Sequence, residues 1–138
     1  MSVYLDASVI VPLFVVDPFS RSAPQQIAAL DDDLALSDFT AAEFASAIAK
    51  KVRERDLTTR EAKLAFEAFD KWAARLARRV EIVAADMAEC VVMIRRLDLP
   101  LRAPDALHIA AAGRLNARLF TFDGQLKRCA KKLGIPVI

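Results

Sequence analysis

Four short, largely apolar runs recur along the chain: SVYLD at 2–6, LALS at 34–37, VEIVA at 80–84 and RLFTF at 118–122. Between them lie longer segments whose apolar residues return at helical spacing. This alternation constrains the fold more than any other feature. Strands that take turns with helices join side by side in parallel, so the pattern predicts an α/β domain on a mainly parallel sheet. At 138 residues the chain suits one domain, and no linker, repeat or low-complexity stretch divides residues 1–138.

The segments between the strands place the helices. Ala7 to Val16 is too long for a strand and reads as a helix broken by Asp17-Pro18. A short helix follows at about Ala23 to Leu30, then Asp31 to Asp33 as a solvated turn. Thr40 and Glu43 have the spacing of a capping box, with Phe39 and Phe44 placed as its hydrophobic staple, opening a helix to about Arg55. Thr58 and Glu61 repeat that spacing before a long helix to about Arg78. Further helices are expected at Met87 to Leu97, at about Ala103 to Leu115 with Pro104 just inside its start, and from Asp123-Gly124 to Leu133. Pro136 to Ile138 can add a short edge strand, for four to five strands in all.

Composition excludes several classes. Hydrophobic residues make up 55% of the chain and mean hydropathy is +0.26, but much of this is helical alanine. The apolar run Val9 to Val16 holds eight residues against the roughly 20 of a membrane span. No basic segment precedes it and no small-residue cleavage site follows, so a cytoplasmic protein without a signal peptide is expected. Cys90 and Cys129 sit in apolar helical patterns and read as buried free thiols. A net charge of +2 does not by itself point to nucleic acid, and three glycines leave no phosphate-cradling loop.

Four acids share one predicted address. Asp6 closes the first strand and Asp123 the fourth, while Glu43 and Asp105 fall in the first turns of helices that follow. In open parallel sheets the ligand crevice lies outside the carboxyl ends of the strands, where helix N-termini also open. Acids meeting there repel unless a cation neutralises them, and hard oxygen ligands suit Mg2+ or Mn2+. Each acid also has a structural reading: Asp6 and Asp123 as N-caps, Asp105 as a partner of the helix dipole, Glu43 as half of a capping box.

The ordered segments YLDASVIV, SDFTAAEFASAI, LRAPDALHIAAA and LFTFDGQLKRCAKKLGIPVI resemble the successive motifs of PIN-domain ribonucleases, especially the compact VapC-type toxins of toxin–antitoxin pairs. The likeness runs from Val3 to Ile138. It implies a three-layer sandwich with helices on both faces of the central sheet, and hydrolysis of RNA phosphodiesters by one or two divalent metal ions. It places the family's acids on Asp6, Glu43, Asp105 and Asp123, and its hydroxyl residues on Ser8 and Thr121. Asp6 and Asp105 are expected as direct ligands, Glu43 as a ligand or a holder of coordinated water, and Asp123 as a looser member of the shell. Ser8 and Thr121 would orient ligands or phosphate, or serve as local caps. An antitoxin protein and a homodimer are the partners implied.

His108, three residues after Asp105, reads as a packed histidine, with substrate contact or proton transfer as its alternative role. Asp38 and Asp98 read as turn residues. Candidate RNA contacts are Lys50, Lys51, Arg53 and Arg55; Arg75, Arg78 and Arg79; and Lys127, Arg128, Lys131 and Lys132. The stripe with Phe66, Phe69 and Trp72 is either core, a dimer face or a groove for the antitoxin. The rival reading is a non-catalytic acidic-pocket module resembling a receiver domain, with Asp86 as phosphoacceptor. A single aspartate after the first strand and the long helical hairpin argue against it.

Overall fold

The computed structural model describes residues 1–138. Strands β1 (Ser2–Leu5), β2 (Asp33–Ser37), β3 (Ala77–Val80) and β4 (Arg118–Phe120) form one sheet in the order β3-β2-β1-β4, with every pair parallel. The helices are α1 (Ala7–Phe14), α2 (Ala23–Ala28), α3 (Asp38–Arg53), α4 (Thr59–Leu76), α5 (Ala84–Arg95), α6 (Ala103–Arg114) and α7 (Gly124–Lys132). An isolated parallel bridge between Leu119 and Val137 is what forms of the expected edge strand.

Val3, Tyr4 and Leu5 of the inner strand β1 are all fully buried, as expected where both sheet faces are covered. Alternate residues serve opposite layers. Tyr4 and Leu119 join a core with Met93, Ile109 and Leu126, while Val3, Leu5 and Phe120 join one with Ile10, Phe44, Ile48 and Phe69. The result is the three-layer α/β sandwich expected. Strand order reverses between β1 and β4, which opens a crevice at their carboxyl ends. No helix is long and apolar enough to cross a membrane.

Several boundaries differ from expectation. The third strand covers ARRV rather than VEIVA, because its register is set by β2, from Leu34 against Ala77 to Ser37 against Val80. Beyond it the Ile82 amide donates to Asp38 Oδ1 instead of to a neighbouring strand, and α5 starts at Ala84 rather than Met87. Strand β4 stops at Phe120 because side chains take over the next amides: Ser8 Oγ accepts from Phe122 N and Thr121 Oγ1 from Asp123 N. The capping box of Thr58 and Glu61 forms as expected.

The Thr40–Glu43 capping box does not form. Ser37 is the N-cap, its hydroxyl accepting from Thr40 N, and α3 begins at Asp38. Glu43 therefore lies beyond the first turn and has no capping role. Phe39 and Phe44 do not staple the helix either, because they pack into opposite cores. On α4, Phe69 is buried and Phe66 and Trp72 pack half-buried against the same core, so that stripe is mainly interior.

Asp86 is buried in the first turn of α5 and grips Arg114 at the end of α6. Arg114 Nε donates to Oδ1 at 2.8 Å and Nη2 to Oδ2 at 2.9 Å, and Nη2 also donates to the Glu81 carbonyl. Burial opposes the Asp86 charge, but the Arg114 bonds and the Val83 amide outweigh it and hold the carboxyl below its ordinary range. An aspartate committed this way to Arg114 does not serve as a phosphoacceptor.

Candidate active site

The backbone of β1 delivers Asp6 straight into the crevice beside β4, where it is only 5% exposed. Ser8 Oγ donates to Oδ1 at 2.7 Å and Thr121 Oγ1 to Oδ2 at 2.8 Å, and the two hydroxyls lie 3.2 Å apart. No lysine or arginine pairs with Asp6. Burial is the main cause that lifts its carboxyl above the usual range, and Glu43 adds to it; Ser8, His108 and Thr121 work the other way. Asp6, Glu43 and His108 are thus within electrostatic reach of one another.

Glu43 projects from α3 and accepts from His108 Nε2 through Oε1, its one side-chain hydrogen bond. His108 lies on α6, one turn after Asp105, and its other nitrogen meets the Tyr4 hydroxyl at 2.8 Å. The packed histidine expected from sequence is indeed buried, but it is also hydrogen-bonded at both nitrogens, which the sequence did not disclose.

Asp105 is the third residue of α6 and is buried, yet its carboxylate faces the helix start. Oδ2 accepts from Arg102 N at 3.3 Å, with Arg102 Nε 3.5 Å away. Asp123 caps α7, Oδ1 accepting from Gln125 N and Leu126 N. Both acids act on the nearby Cys129 thiol, whose pKa is raised first by burial, then by Asp105 and less by Asp123. The N-cap role expected for Asp123 is therefore present. Asp105, expected as a partner of the helix dipole, also accepts from the Arg102 amide, whereas the side-chain caps expected of Asp6 and Glu43 do not form.

All four acids stand at the carboxyl edge, but no three His, Cys, Asp or Glu side chains close into a ligand set. Their donors are hard oxygens, and Asp6 is a buried carboxylate paired with no lysine or arginine. A divalent ion such as Mg2+ or Mn2+ fits that chemistry, because it would supply positive charge to offset the carboxylate charge that burial penalises.

The rim adds residues that sequence reasoning missed. The Arg102 side chain is 72% exposed beside Asp105, and its spacing of three residues from that acid was a visible signal. Phe19, 39% exposed, stacks on Phe122 with ring centroids 4.4 Å apart and planes 10° from parallel. Phe122 sits between Thr121 and Asp123, so this stack borders the acids. By contrast, Lys50 to Arg55 lie at the far end of α3, about 18 Å or more along the axis from its start. Arg78 and Arg79 are exposed on the edge strand β3, where charge discourages pairing with another chain.

Residues 3–132 match the PIN domain family profile. Comparison with curated proteins finds no match. Among solved structures, the chain is similar to Mycobacterium tuberculosis VapC20, a Sarcin-Ricin loop cleaving toxin, with TM-score 0.76 and 15% identity over 92% of this chain and 94% of that one. It is also similar to FitAcB from Neisseria gonorrhoeae, with TM-score 0.74 and 20% identity over 99% and 96%. A toxin–antitoxin complex from Klebsiella pneumoniae gives TM-score 0.65 and 20% identity over 99% and 95%.

Proposed function

The chain belongs to the PIN-domain family, and on that premise we propose that it is a metal-dependent endoribonuclease, the toxin of a toxin–antitoxin pair. The observation that carries this reading is Asp6: a buried carboxylate at the strand-order reversal, oriented by two hydroxyls, near a second acid and paired with no lysine or arginine. In this reading Asp6 and Asp105 hold Mg2+ or Mn2+ directly, and Glu43 binds the metal or its water. Asp123 completes the shell through the oxygen left over from its cap.

A bound dication would activate water and stabilise charge on the scissile phosphate and the leaving oxygen. The chain's own residues arrange the reactants. Ser8 and Thr121 fix both oxygens of Asp6, so its lone pairs keep one direction into the crevice. Arg102 is placed to reach a phosphate beyond Asp105. The outer ring of the Phe19–Phe122 stack offers a platform for a nucleobase beside that phosphate.

The partners belong to the same proposal. VapC20 is a toxin and the Klebsiella protein is held in a toxin–antitoxin complex, which supports an antitoxin for this chain. A homodimer is supported by apolar surface left open on α5, where Met87, Val91 and Val92 are about half exposed. A cytoplasmic setting fits an RNA substrate.

The test is cleavage of total cellular RNA by purified protein with Mg2+ or Mn2+, against a chelator control. Cleavage should require metal and fall about 100-fold or more in Glu43→Gln, with little change in melting temperature because Glu43 caps nothing. Metal-independent cleavage, or none, sinks the reading in favour of a binding module. Undiminished activity in Glu43→Gln removes Glu43 from the site.

A further inference from the structure

We propose that His108 is a positioning residue for Glu43: its ring, anchored by Tyr4, holds one carboxylate oxygen and leaves the other directed at the metal. The role rests on the metal reading above, but it concerns a side chain that touches neither metal nor substrate.

Three elements converge to hold the ring. His108 comes from α6, Tyr4 from β1, and Ser37 and Thr40 from the β2–α3 junction. The imidazole is 2% exposed and sits against Tyr4, with ring centroids 5.6 Å apart, and Phe39, at 5.2 Å. Its Nδ1 lies 2.8 Å from the Tyr4 hydroxyl, which lies 2.7 Å from Ser37 Oγ. Ser37 Oγ in turn accepts from Thr40 N, and Thr40 Oγ1 donates to the Leu5 carbonyl.

Hydrogen counting gives this chain a direction. The Tyr4 phenol has one hydrogen to give and an oxygen that can accept. In the arrangement where Nε2 carries a hydrogen for Glu43 and Nδ1 does not, the Tyr4 hydroxyl donates to Nδ1 and its oxygen accepts from Ser37 or Thr40. Glu43, an acceptor when ionised, takes that hydrogen. Every polar group in the chain then has a partner, and no buried side-chain nitrogen or oxygen in the protein is left without one.

Glu43 needs such a holder. It is a three-torsion side chain 30% exposed at the crevice mouth, with no other hydrogen bond to restrain it. Fixing it in advance removes side-chain entropy that metal binding would otherwise cost. Outer partners of this kind change metal affinity by about 10- to 100-fold in other sites.

The experiment measures Mn2+ binding by calorimetry without RNA, then kcat and KM with RNA, in wild type, Glu43→Gln, His108→Gln, His108→Leu and Tyr4→Phe. His108→Leu should weaken Mn2+ binding about tenfold or more and lower kcat with KM for RNA unmoved. His108→Gln, whose amide places an N–H where Nε2 was, should recover most of the loss, and Tyr4→Phe should show a smaller one. In a Glu43→Gln background, His108→Leu should cost nothing further.

Wild-type Mn2+ affinity in His108→Leu overturns the role and leaves the nuclease reading standing. An equal loss in the Glu43→Gln background also overturns it, since His108 would then act elsewhere. A wild type that binds no Mn2+ overturns the metal reading and this role with it. If wild type binds Mn2+ and cleaves no RNA, but His108→Leu still weakens binding, the positioning role survives and the nuclease reading falls. Should His108→Leu fail to fold, Tyr4→Phe and His108→Gln carry the same comparison with the ring pocket filled.

Discussion

Two hydroxyls orient Asp6 and no lysine or arginine pairs with it, and burial outweighs what Ser8, His108 and Thr121 contribute, so its ionisation works against folding. An unfolded chain gives up this proton near the ordinary pKa of ~3.9, while the folded chain keeps it to higher pH. Between those values the native state carries more protons, and the Asp6 contribution to stability falls as pH rises. Asp6→Asn should therefore raise the melting temperature in chelator at neutral pH, with a smaller gain in acid, and lower metal-dependent cleavage about 100-fold or more. Thermal melts at two pH values and the RNA assay check this together; a lower melting temperature at neutral pH would contradict it. At the rim, Phe19→Ala removes a stacking face worth about 1–3 kcal/mol per base, so KM for RNA should rise about fivefold or more with kcat little changed. Steady-state kinetics on one oligonucleotide decides it, and an unchanged KM discards the platform.

The elements were legible where local chemistry places them. The Thr58–Glu61 capping box and the Gly134 end of α7, at φ +80°, depend on residues next to one another in sequence. They failed to be legible where a distant residue competes. Ser37 and Thr40 are both plausible N-caps, and only the Tyr4 hydroxyl, 33 and 36 residues away, shows why the chain turns helical at the first. The third strand was misplaced for the same reason, since its register belongs to β2. Among the candidate site residues, Asp6 and Asp123 follow strand ends and Asp105 a helix start, while Glu43 lies beyond the first turn of α3. The contact between Glu43 and His108, 65 residues apart, has no local signature. The α5–α6 clasp is an element-scale device. Arg114→Leu leaves Asp86 buried without its partner and should cost about 2–3 kcal/mol by chemical denaturation, below the ~3–5 of a fully buried pair because a third of Arg114 is exposed. Asp86, held below its ordinary range, contributes stability above its unfolded pKa and loses it as pH falls through the folded one, opposite in sign to Asp6.

For the molecule as a whole, a dication that binds only the folded state shifts the unfolding equilibrium. At 100 times its dissociation constant, Mn2+ should add about 2.7 kcal/mol to stability at neutral pH, and Asp6→Asn should abolish most of that gain. Melts with and without Mn2+ test it, and an equal gain in both proteins would place the ion elsewhere. Synthesis on the ribosome brings a different constraint. Asp6 leaves the ribosome among the earliest residues, but Thr121, the hydroxyl that fixes its second oxygen, follows 115 positions later. At roughly 5–20 residues per second, about 6–23 s separate the two. Strand β1 also cannot acquire its β4 neighbour before then. The crevice is thus assembled last, by the longest-range pairing in the sheet, and a polypeptide interrupted before β4 carries Asp6, Glu43 and Asp105 without Asp123 and without the hydroxyl that aims the first of them.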